Sequence, residues 1–160
     1  VWKGNVIMKI QIELDERCQQ TEVIIRCAQL NEEVTRMQKQ LQEIASMQEE
    51  ISFFKENTEY FVKLSAVLFF ETDGREVHAH TAAEVYRTPR RLYELEKILP
   101  ACFMRVSKST ILNLRQIYAL DRTLSAACTV SFSNTHKQVF VSRRYYPALR
   151  HRLEERRSSV

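Results

Sequence analysis

Long apolar runs, paired cysteines and glycine are scarce in this 160-residue sequence. No apolar run approaches the roughly 20 residues that a membrane span needs, and no signal-peptide pattern opens the chain. The four cysteines form no C-x-x-C pair and have no histidine at a zinc-ligand spacing. We therefore expect a cytoplasmic protein with reduced thiols and without a metal or disulfide framework.

The shortage of glycine bears on the segment FMRVSKSTILNL, in which Lys108 precedes Ser109. A phosphate-binding loop of the G-x-x-x-x-G-K-[ST] type needs glycines where Cys102 and Ser107 stand, so a nucleotide cofactor is excluded. A catalytic serine–lysine pair has the spacing S-x-x-K, but the nearest serine before Lys108 is Ser107 itself. We expect neither an enzyme nor a bound cofactor, and a surface that meets an anion is the interpretation that remains.

Charge is distributed unevenly along the chain. Residues 1–59 hold 7 Lys and Arg against 11 Asp and Glu, whereas residues 60–160 hold 17 against 9. An acidic first third beside a basic remainder suggests two units with different partners, with nucleic acid as a candidate for the basic one. A solvated basic surface without a partner is the plainer alternative.

The first third predicts a small strand-and-helix region. Residues 8–14 (MKIQIEL) alternate apolar and polar side chains like a half-buried strand, and residues 22–27 (EVIIRC) indicate a second strand. From Leu30 to Ile44, apolar residues recur every three or four positions, which predicts a helix without a clear cap. Its apolar stripe suits packing on the chain's own strands or against another chain.

The polar stretch at residues 45–59 predicts a boundary, which we place between an N-terminal regulatory or dimerisation region (residues 1–56) and a second domain (residues 57–160). Short apolar runs follow it and predict a mostly β domain with stacked antiparallel sheets, an α+β fold overall. The runs are YFVKL, AVLFFET, EVHAHT, EVYRT, FMRV, QIYAL, ACTVSFS and KQVFVS. Asp73-Gly74 between two of them predicts a hairpin turn.

Two short helices are predicted among these strands. RRLYELEKIL follows Pro89 and ends before Pro100, and YYPALRHRLEERR places Leu149 and Leu153 on one face. Strands separate the two helices, so a helix-turn-helix is not expected. If this chain binds DNA, loops and strand ends have to make the contacts.

Three polar or basic segments stand beside predicted strand ends and are candidates for that contact. Serine and threonine hydroxyls around Lys108 suit phosphate oxygens, and the planar fork of Arg105 suits guanine or phosphate. Arg143 and Arg144 follow the last strand, and Asp73 and Arg75 flank the predicted turn. The segments form one binding surface only if the fold brings them to the same side.

The order of three segments resembles the LytTR DNA-binding domain of bacterial transcription regulators. The segments are LSAVLFFET, YELEKILPACFMRVSKSTILNLRQI and VFVSRRYYPAL. Residues 103–113 fit the family pattern F-x-R-x-[HS]-[RK]-S-[YT]-[IL]-[VL]-N, and residues 141–145 fit its V-S-R-R-Y segment. The resemblance covers residues 57–157 and implies a fold of three β-sheets whose loops enter successive major grooves of double-stranded DNA.

The resemblance also implies which residues contact DNA. Ser107 stands where many members carry histidine, which is a longer and more discriminating side chain. Asn113 is expected to be a buried amide that fixes a turn, and at most one of His78 and His80 is expected to face the DNA. Arg105 is added to this set for its planar fork. The expected DNA-binding residues are therefore Thr72, Asp73, Arg75, Glu76, His78, Arg105, Ser107, Lys108, Arg143 and Arg144.

The N-terminal third is too short for the receiver domain that most members of this family carry. The chain resembles the short, receiver-less members, which implies control by a partner protein, with a small membrane protein as a candidate. The family further implies tandem DNA sites and a homodimer on DNA. The rival interpretation is a protein-interaction module whose basic face binds an acidic partner, and a role in RNA binding is weaker because no exposed aromatic motif is evident.

Overall fold

The computed structural model describes residues 9–19, 21–47, 49–122 and 128–157. The helices are α1 (Glu32–Met47), α2 (Leu92–Ile98) and α3 (Tyr146–Arg157). The strands are β1 (Glu50–Lys55), β2 (Thr58–Lys63), β3 (Phe69–Asp73), β4 (Glu76–His80), β5 (Val85–Thr88), β6 (Phe103–Arg105), β7 (Thr110–Asn113), β8 (Ile117–Arg122), β9 (Cys128–Phe132) and β10 (Gln138–Val141). This β-rich architecture with flanking helices confirms the predicted fold class. Among the described helices, none combines the length and the apolar character needed to cross a bilayer.

The strands form two antiparallel sheets. The larger has the order β2-β1-β5-β4-β3-β7-β6 and the smaller has the order β10-β9-β8. Only one residue pair, Phe54 with Arg87, joins β1 to β5, whereas β3 and β4 share five pairs. The resemblance implied three sheets, but the described residues give two, because that single pair attaches the β1–β2 hairpin to the larger sheet.

The larger sheet separates two buried cores, because neighbouring residues on a strand point to opposite faces. On one face, Phe70 belongs to a cluster that includes Leu95 of α2. On the other face, Phe69 stacks on Phe132 of the smaller sheet, in the cluster that also buries Leu149 of α3. This layered packing fixes the sheet between α2 and the second sheet, and so fixes the loops at its ends.

All eight strands predicted for the second domain are present, but β1 and β7 were not predicted. The four residues of β7 are all buried, so the strand lacks the alternation that marks a half-exposed strand. β1 falls within the stretch that we interpreted as a polar boundary. Phe53 in β1 is nevertheless fully buried, and β1 hydrogen-bonds to β2 along its length. The boundary expected between residues 56 and 57 therefore lies in the turn of a hairpin, and β1 belongs to the larger sheet.

The predicted strands at residues 8–14 and 22–27 are wrong for the residues described, and Met8 lies outside them. Residues 9–14 and 22–27 form neither strand nor helix. Ile10, Ile12 and Leu14 alternate as predicted, but they are 83–96% exposed. A strand needs a neighbour to satisfy its main-chain N–H and C=O groups, and no described strand pairs with these residues.

The helix predicted from Leu30 to Ile44 is confirmed as α1, shifted by two to three residues. Contrary to expectation, it has a clear cap: the Asn31 side-chain oxygen accepts a hydrogen bond from the Val34 N–H at 2.9 Å. Its C-terminal part packs on the chain's own fold, where Met47 is buried and Glu43 pairs with Arg115 at 2.7 Å. α2 and α3 also match their predicted positions.

Candidate nucleic-acid interface

Three loops lie at one end of the larger sheet, which we call the turn end because β3 and β4 are joined there. The hairpin loop (residues 72–76) contains the β3–β4 turn. The central loop (residues 106–109) joins β6 to β7, and β7 begins opposite Glu71 of β3. The C-terminal loop (residues 142–145) joins β10 to α3. The first two loops connect strands at the same end of the larger sheet, and a main-chain hydrogen bond from Ser142 to Val106 places the C-terminal loop beside them. The fold therefore brings the predicted segments together.

Main-chain hydrogen bonds lock the three loops to one another. The Thr72 N–H donates to the Ser109 carbonyl at 2.8 Å, which joins the hairpin loop to the central loop. The Ser142 N–H donates to the Val106 carbonyl at 2.9 Å, which joins the C-terminal loop to the central loop. The central loop therefore holds the other two in register, and the three form one continuous surface.

The hairpin loop contains a two-residue turn between Asp73 and Glu76, which form the last residue pair of β3 and β4. Gly74 has φ +59°, a left-handed conformation that glycine adopts without strain, so the predicted Asp-Gly hairpin is confirmed. A Cβ at this position would meet no atom within 4 Å, so backbone geometry and not space selects glycine. Arg75 is exposed at the tip, and its carbonyl accepts a bond from Arg91 at 2.5 Å.

The Arg105 side chain holds the central loop through hydrogen bonds to its main-chain carbonyls. Its Nε donates to the Ser107 carbonyl at 2.8 Å, one Nη donates to the Lys108 carbonyl, and the other meets Glu96 at 3.0 Å. The Arg105 side chain is only 20% exposed. Arg105 was expected to contact DNA directly, but its whole fork already engages protein groups. Lys108 and Ser109 are left on the exposed side of the loop.

Ser107 also has internal partners. Its hydroxyl oxygen accepts a hydrogen bond from the Ser109 N–H at 3.1 Å, in the manner of a serine-stabilised turn. The Ser107 hydroxyl also lies 3.3 Å from the Ser109 hydroxyl. The half-buried Ser107 therefore shapes the loop, while Lys108 is its exposed cation.

The C-terminal loop presents Arg143 and Arg144, which are both exposed. The Ser142 carbonyl accepts bonds from the Tyr145 and Tyr146 N–H groups at 3.0 and 3.1 Å, and these bonds close the turn that starts α3. Because Leu149 buries the first turn of α3 in the core, the turn that carries both arginines has a fixed base.

The remaining predicted residues differ in exposure and add no cation to the exposed surface. Thr72 is half-buried and its N–H bonds to the central loop, whereas Asp73 is exposed. His78 is half-buried, and its Nε2 lies 3.7 Å from Glu76. All ten predicted residues lie in or beside the three loops. The exposed cations among them are Arg75, Lys108, Arg143 and Arg144.

The expectation that at most one of His78 and His80 faces the DNA gains no support from alternation along β4. His78 and His80 are two residues apart on β4, so they share one face of the sheet. Val77 before them and Ala79 between them are buried on the opposite face. His80 stacks on Phe69 with ring centroids 4.2 Å apart. Burial, with Lys137 nearby, lowers the pKa of His80 to about 4, so His80 is neutral at pH 7 and adds no charge to the surface.

Sequence reasoning missed a second group of arginines beside the hairpin loop. Arg87 lies near the end of β5, and Arg90 and Arg91 follow that strand. β5 pairs with β4 so that Thr88 faces Val77, which places the end of β5 at the turn end. The strand directions could have located these arginines from the sequence, because in an antiparallel meander every second strand ends on the same side of the sheet.

Comparisons with known proteins agree with this architecture. The family profile described as the LytTr DNA-binding domain matches residues 57–154. Uncharacterized HTH-type transcriptional regulators from Staphylococcus aureus are 33% identical (strain NCTC 8325 / PS 47) and 32% identical (strain MRSA252) over 94 residues. Each match covers 59% of this chain, which spans 63% of the length of these relatives. The relatives' names specify a helix-turn-helix type, whereas strands separate the helices in the residues that our structure describes.

A solved structure shares the fold. The LytTr DNA-binding domain of a response regulator from Bacillus cereus superposes with a TM-score of 0.61 at 23% identity, covering 66% of this chain and 96% of that one. The family match at residues 57–154 extends over more than half of the 160 residues. This protein therefore belongs to the LytTr DNA-binding domain family.

Proposed function

We propose that this protein is a cytoplasmic bacterial transcription regulator that binds double-stranded DNA in a sequence-specific way through the three loops. The observation that carries the proposal is the joining of the loops by the Thr72–Ser109 and Ser142–Val106 main-chain bonds. A preformed surface loses little conformational freedom on binding. It presents cations from three separate segments on one side, as contact with a duplex requires.

The exposed arginines and the exposed lysine are expected to make different contacts with DNA. Arg75, Arg143 and Arg144 carry planar guanidinium groups that can bind guanine or phosphate through two hydrogen bonds, and Lys108 supplies a mobile charge. Each bidentate base contact contributes about 1–3 kcal/mol to discrimination between base pairs. We assign Arg105 to the positioning of Lys108, because its guanidinium already binds the loop carbonyls and Glu96.

Binding at tandem repeats as a homodimer on DNA is part of the proposal, since one set of loops covers only a short site. Control by a partner protein, such as a small membrane protein, is supported by apolar side chains outside the two cores. Leu41 and Ile44 of α1 are 37% and 48% exposed, and Ile10, Ile12 and Leu14 are more exposed still. Leu41 and Ile44 are three residues apart and so share one face of α1, and exposed apolar patches commonly mark contact sites.

Selection of bound sequences from a random duplex library, followed by titration of the selected duplex, tests the proposal. We expect an affinity of about 10⁻⁸ M or tighter at physiological salt, at least roughly 1000-fold above a scrambled duplex. Weak binding that ignores sequence, combined with tight binding of an acidic polypeptide, would overturn the proposal in favour of the protein-interaction module.

A further inference from the structure

We propose that a cleft of four arginines beside the hairpin loop binds the DNA phosphate backbone and extends the contact beyond the three loops. The cleft is lined by Arg75, Arg87, Arg90 and Arg91 together with Glu76 and Thr88. This inference rests on the proposed function and assigns a new set of residues to it. None of Arg87, Arg90 and Arg91 belongs to the three loops.

The position of the cleft follows from the strand order. β5, β4, β3 and β7 are consecutive neighbours, and the pair Val77–Thr88 puts the end of β5 beside the start of β4. Strands in a sheet lie about 4.8 Å apart, so the end of β5 lies roughly 14 Å across the sheet from the start of β7 and the central loop. A duplex that touches the three loops therefore passes close to the cleft.

The cleft has a fixed backbone. Thr88 is buried, and its hydroxyl oxygen accepts a hydrogen bond from the Arg90 N–H at 3.3 Å. The Arg91 N–H donates to the Glu94 carboxylate at 2.6 Å, and the Arg91 guanidinium donates to the Arg75 carbonyl at 2.5 Å. These bonds tie the segment after β5 to the hairpin loop, so the two move together.

Charge identifies the ligand as an anion. Four guanidinium groups share the cleft with one carboxylate, Glu76, whose nearest contact with Arg87 is 3.7 Å long. Both members of that pair are about half exposed, at 48% and 55%, so the pair neutralises little of the surplus. Clustered like charges repel one another, and a row of phosphates relieves that repulsion.

The cleft is suited to phosphate contact and not to base readout. A base reader has to project into a groove, as the tip of the hairpin loop can, whereas Arg87 lies on β5 and Arg90 stands two residues after its end. Phosphate contacts set register and orientation without carrying sequence information. The cleft therefore contributes the same factor to the affinity for every sequence.

The experiment compares Arg90→Ala with Arg36→Ala in the full chain, by titration against the selected and scrambled duplexes over a range of salt concentrations. Arg36 is an exposed arginine on α1, a helix whose Glu43 pairs with Arg115 beyond the opposite end of β7. Each lost phosphate contact makes the negative slope of log K against log salt shallower by about 0.9, so a variant that matches the unsubstituted chain at 1 M salt binds roughly eightfold more weakly than that chain at 0.1 M. We expect this loss for Arg90→Ala on both duplexes, recovery with Arg90→Lys, and no loss for Arg36→Ala.

The outcomes separate this inference from the proposed function. If Arg90→Ala and Arg87→Ala behave like Arg36→Ala while Arg144→Ala still weakens binding, the cleft does not touch DNA and the proposed function stands. If Arg90→Ala weakens only the selected duplex, the cleft reads bases and the phosphate assignment is overturned. If the unsubstituted chain shows no sequence preference, the proposed function fails first. Thermal unfolding of each variant confirms that it is folded.

Discussion

Arg105 provides the sharpest test of how the loops are held. We predict that Arg105→Ala leaves the protein folded but releases the central loop, because it removes the bonds to the Ser107 and Lys108 carbonyls and the contact with Glu96. Arg105→Lys keeps the charge but lacks the planar fork that spans these groups, so we expect it to behave more like the alanine variant than like the unsubstituted chain.

The size of the effect follows from the three contacts. Hydrogen bonds from a charged donor contribute about 1.5–3 kcal/mol each, and they do not add fully. The side chain is 20% exposed and the Glu96 contact is partly solvated, which reduces its share. A loss of about 3 kcal/mol for the alanine variant is equivalent to a roughly 100-fold change in the opening equilibrium of the loop.

Hydrogen exchange of main-chain amides measures that opening without DNA. The Thr72 and Ser142 N–H groups donate to the carbonyls of Ser109 and Val106, so both are protected only while the central loop is in place. We expect Arg105→Ala to lower their protection by up to roughly 100-fold. Lys108→Ala, the matched control in the same loop, removes an exposed side chain and is expected to leave protection unchanged.

The combination of exchange and binding distinguishes positioning from contact. If Arg105→Ala weakens DNA binding while the protection of Thr72 and Ser142 stays as it was, Arg105 contacts DNA directly and our assignment is wrong. Substantial recovery of affinity by Arg105→Lys would point the same way, because a lysine preserves charge without preserving the fork.

Three further predictions concern individual side chains. Lys108→Ala and Arg144→Ala should each weaken binding to the selected duplex by about 1–3 kcal/mol in a titration, and Glu154→Ala should not; equal effects from all three would contradict the loop assignment. Because the folded-state pKa of His80 is lowered to about 4 from 6.5, the unfolded chain binds more protons between these values, so stability falls as pH falls through this window. After allowance for partial exposure we expect a loss of about 2 kcal/mol in urea unfolding that His80→Gln abolishes, and an unchanged pH profile would refute it. Asn113→Ala should cost about 3 kcal/mol of stability, since the buried amide donates to the Val67 carbonyl at 3.0 Å and accepts from the Arg115 N–H at 3.1 Å, whereas a loss below about 1 kcal/mol would contradict that role.

Local chemistry explains which parts of the site were predictable. Asp73-Gly74 needs only its own backbone preference to form a turn, and Asn113 between apolar neighbours has to be satisfied wherever it is buried. Both predictions are confirmed by Gly74 at φ +59° and by the bonds of the Asn113 amide. Lys108 and Arg144 were predicted as cations beside strand ends, and both are exposed in the structure.

The role of Arg105 and the arginines after β5 could not be obtained from spacing alone. Arg105 has the residue type of a base reader, and only its three-dimensional neighbours show that the fork faces inward. Arg90 stands 15 residues from Arg75 in the sequence, and the antiparallel pairing of β4 with β5 brings the two into one cleft. Contacts set by strand pairing depend on topology, which a residue pattern constrains only loosely.

Strand pairing also explains the errors in the N-terminal third, where predicted strands did not form and one strand was not predicted. Alternation at residues 8–14 predicted a strand, but no strand among the described residues pairs with residues 9–14 and they form none. Residues 50–55, which were interpreted as part of a polar boundary, form β1 because β2 and β5 pair with them. Phe53 is fully buried between Phe70 and Tyr86, with ring centroids 6.0 and 6.2 Å away. Removing a buried phenylalanine typically costs about 3–5 kcal/mol, a large part of the stability of a small domain. A truncation that asks what the N-terminal region contributes to dimerisation or partner control therefore has to stop before β1, since removal of β1 tests the core of the larger sheet instead.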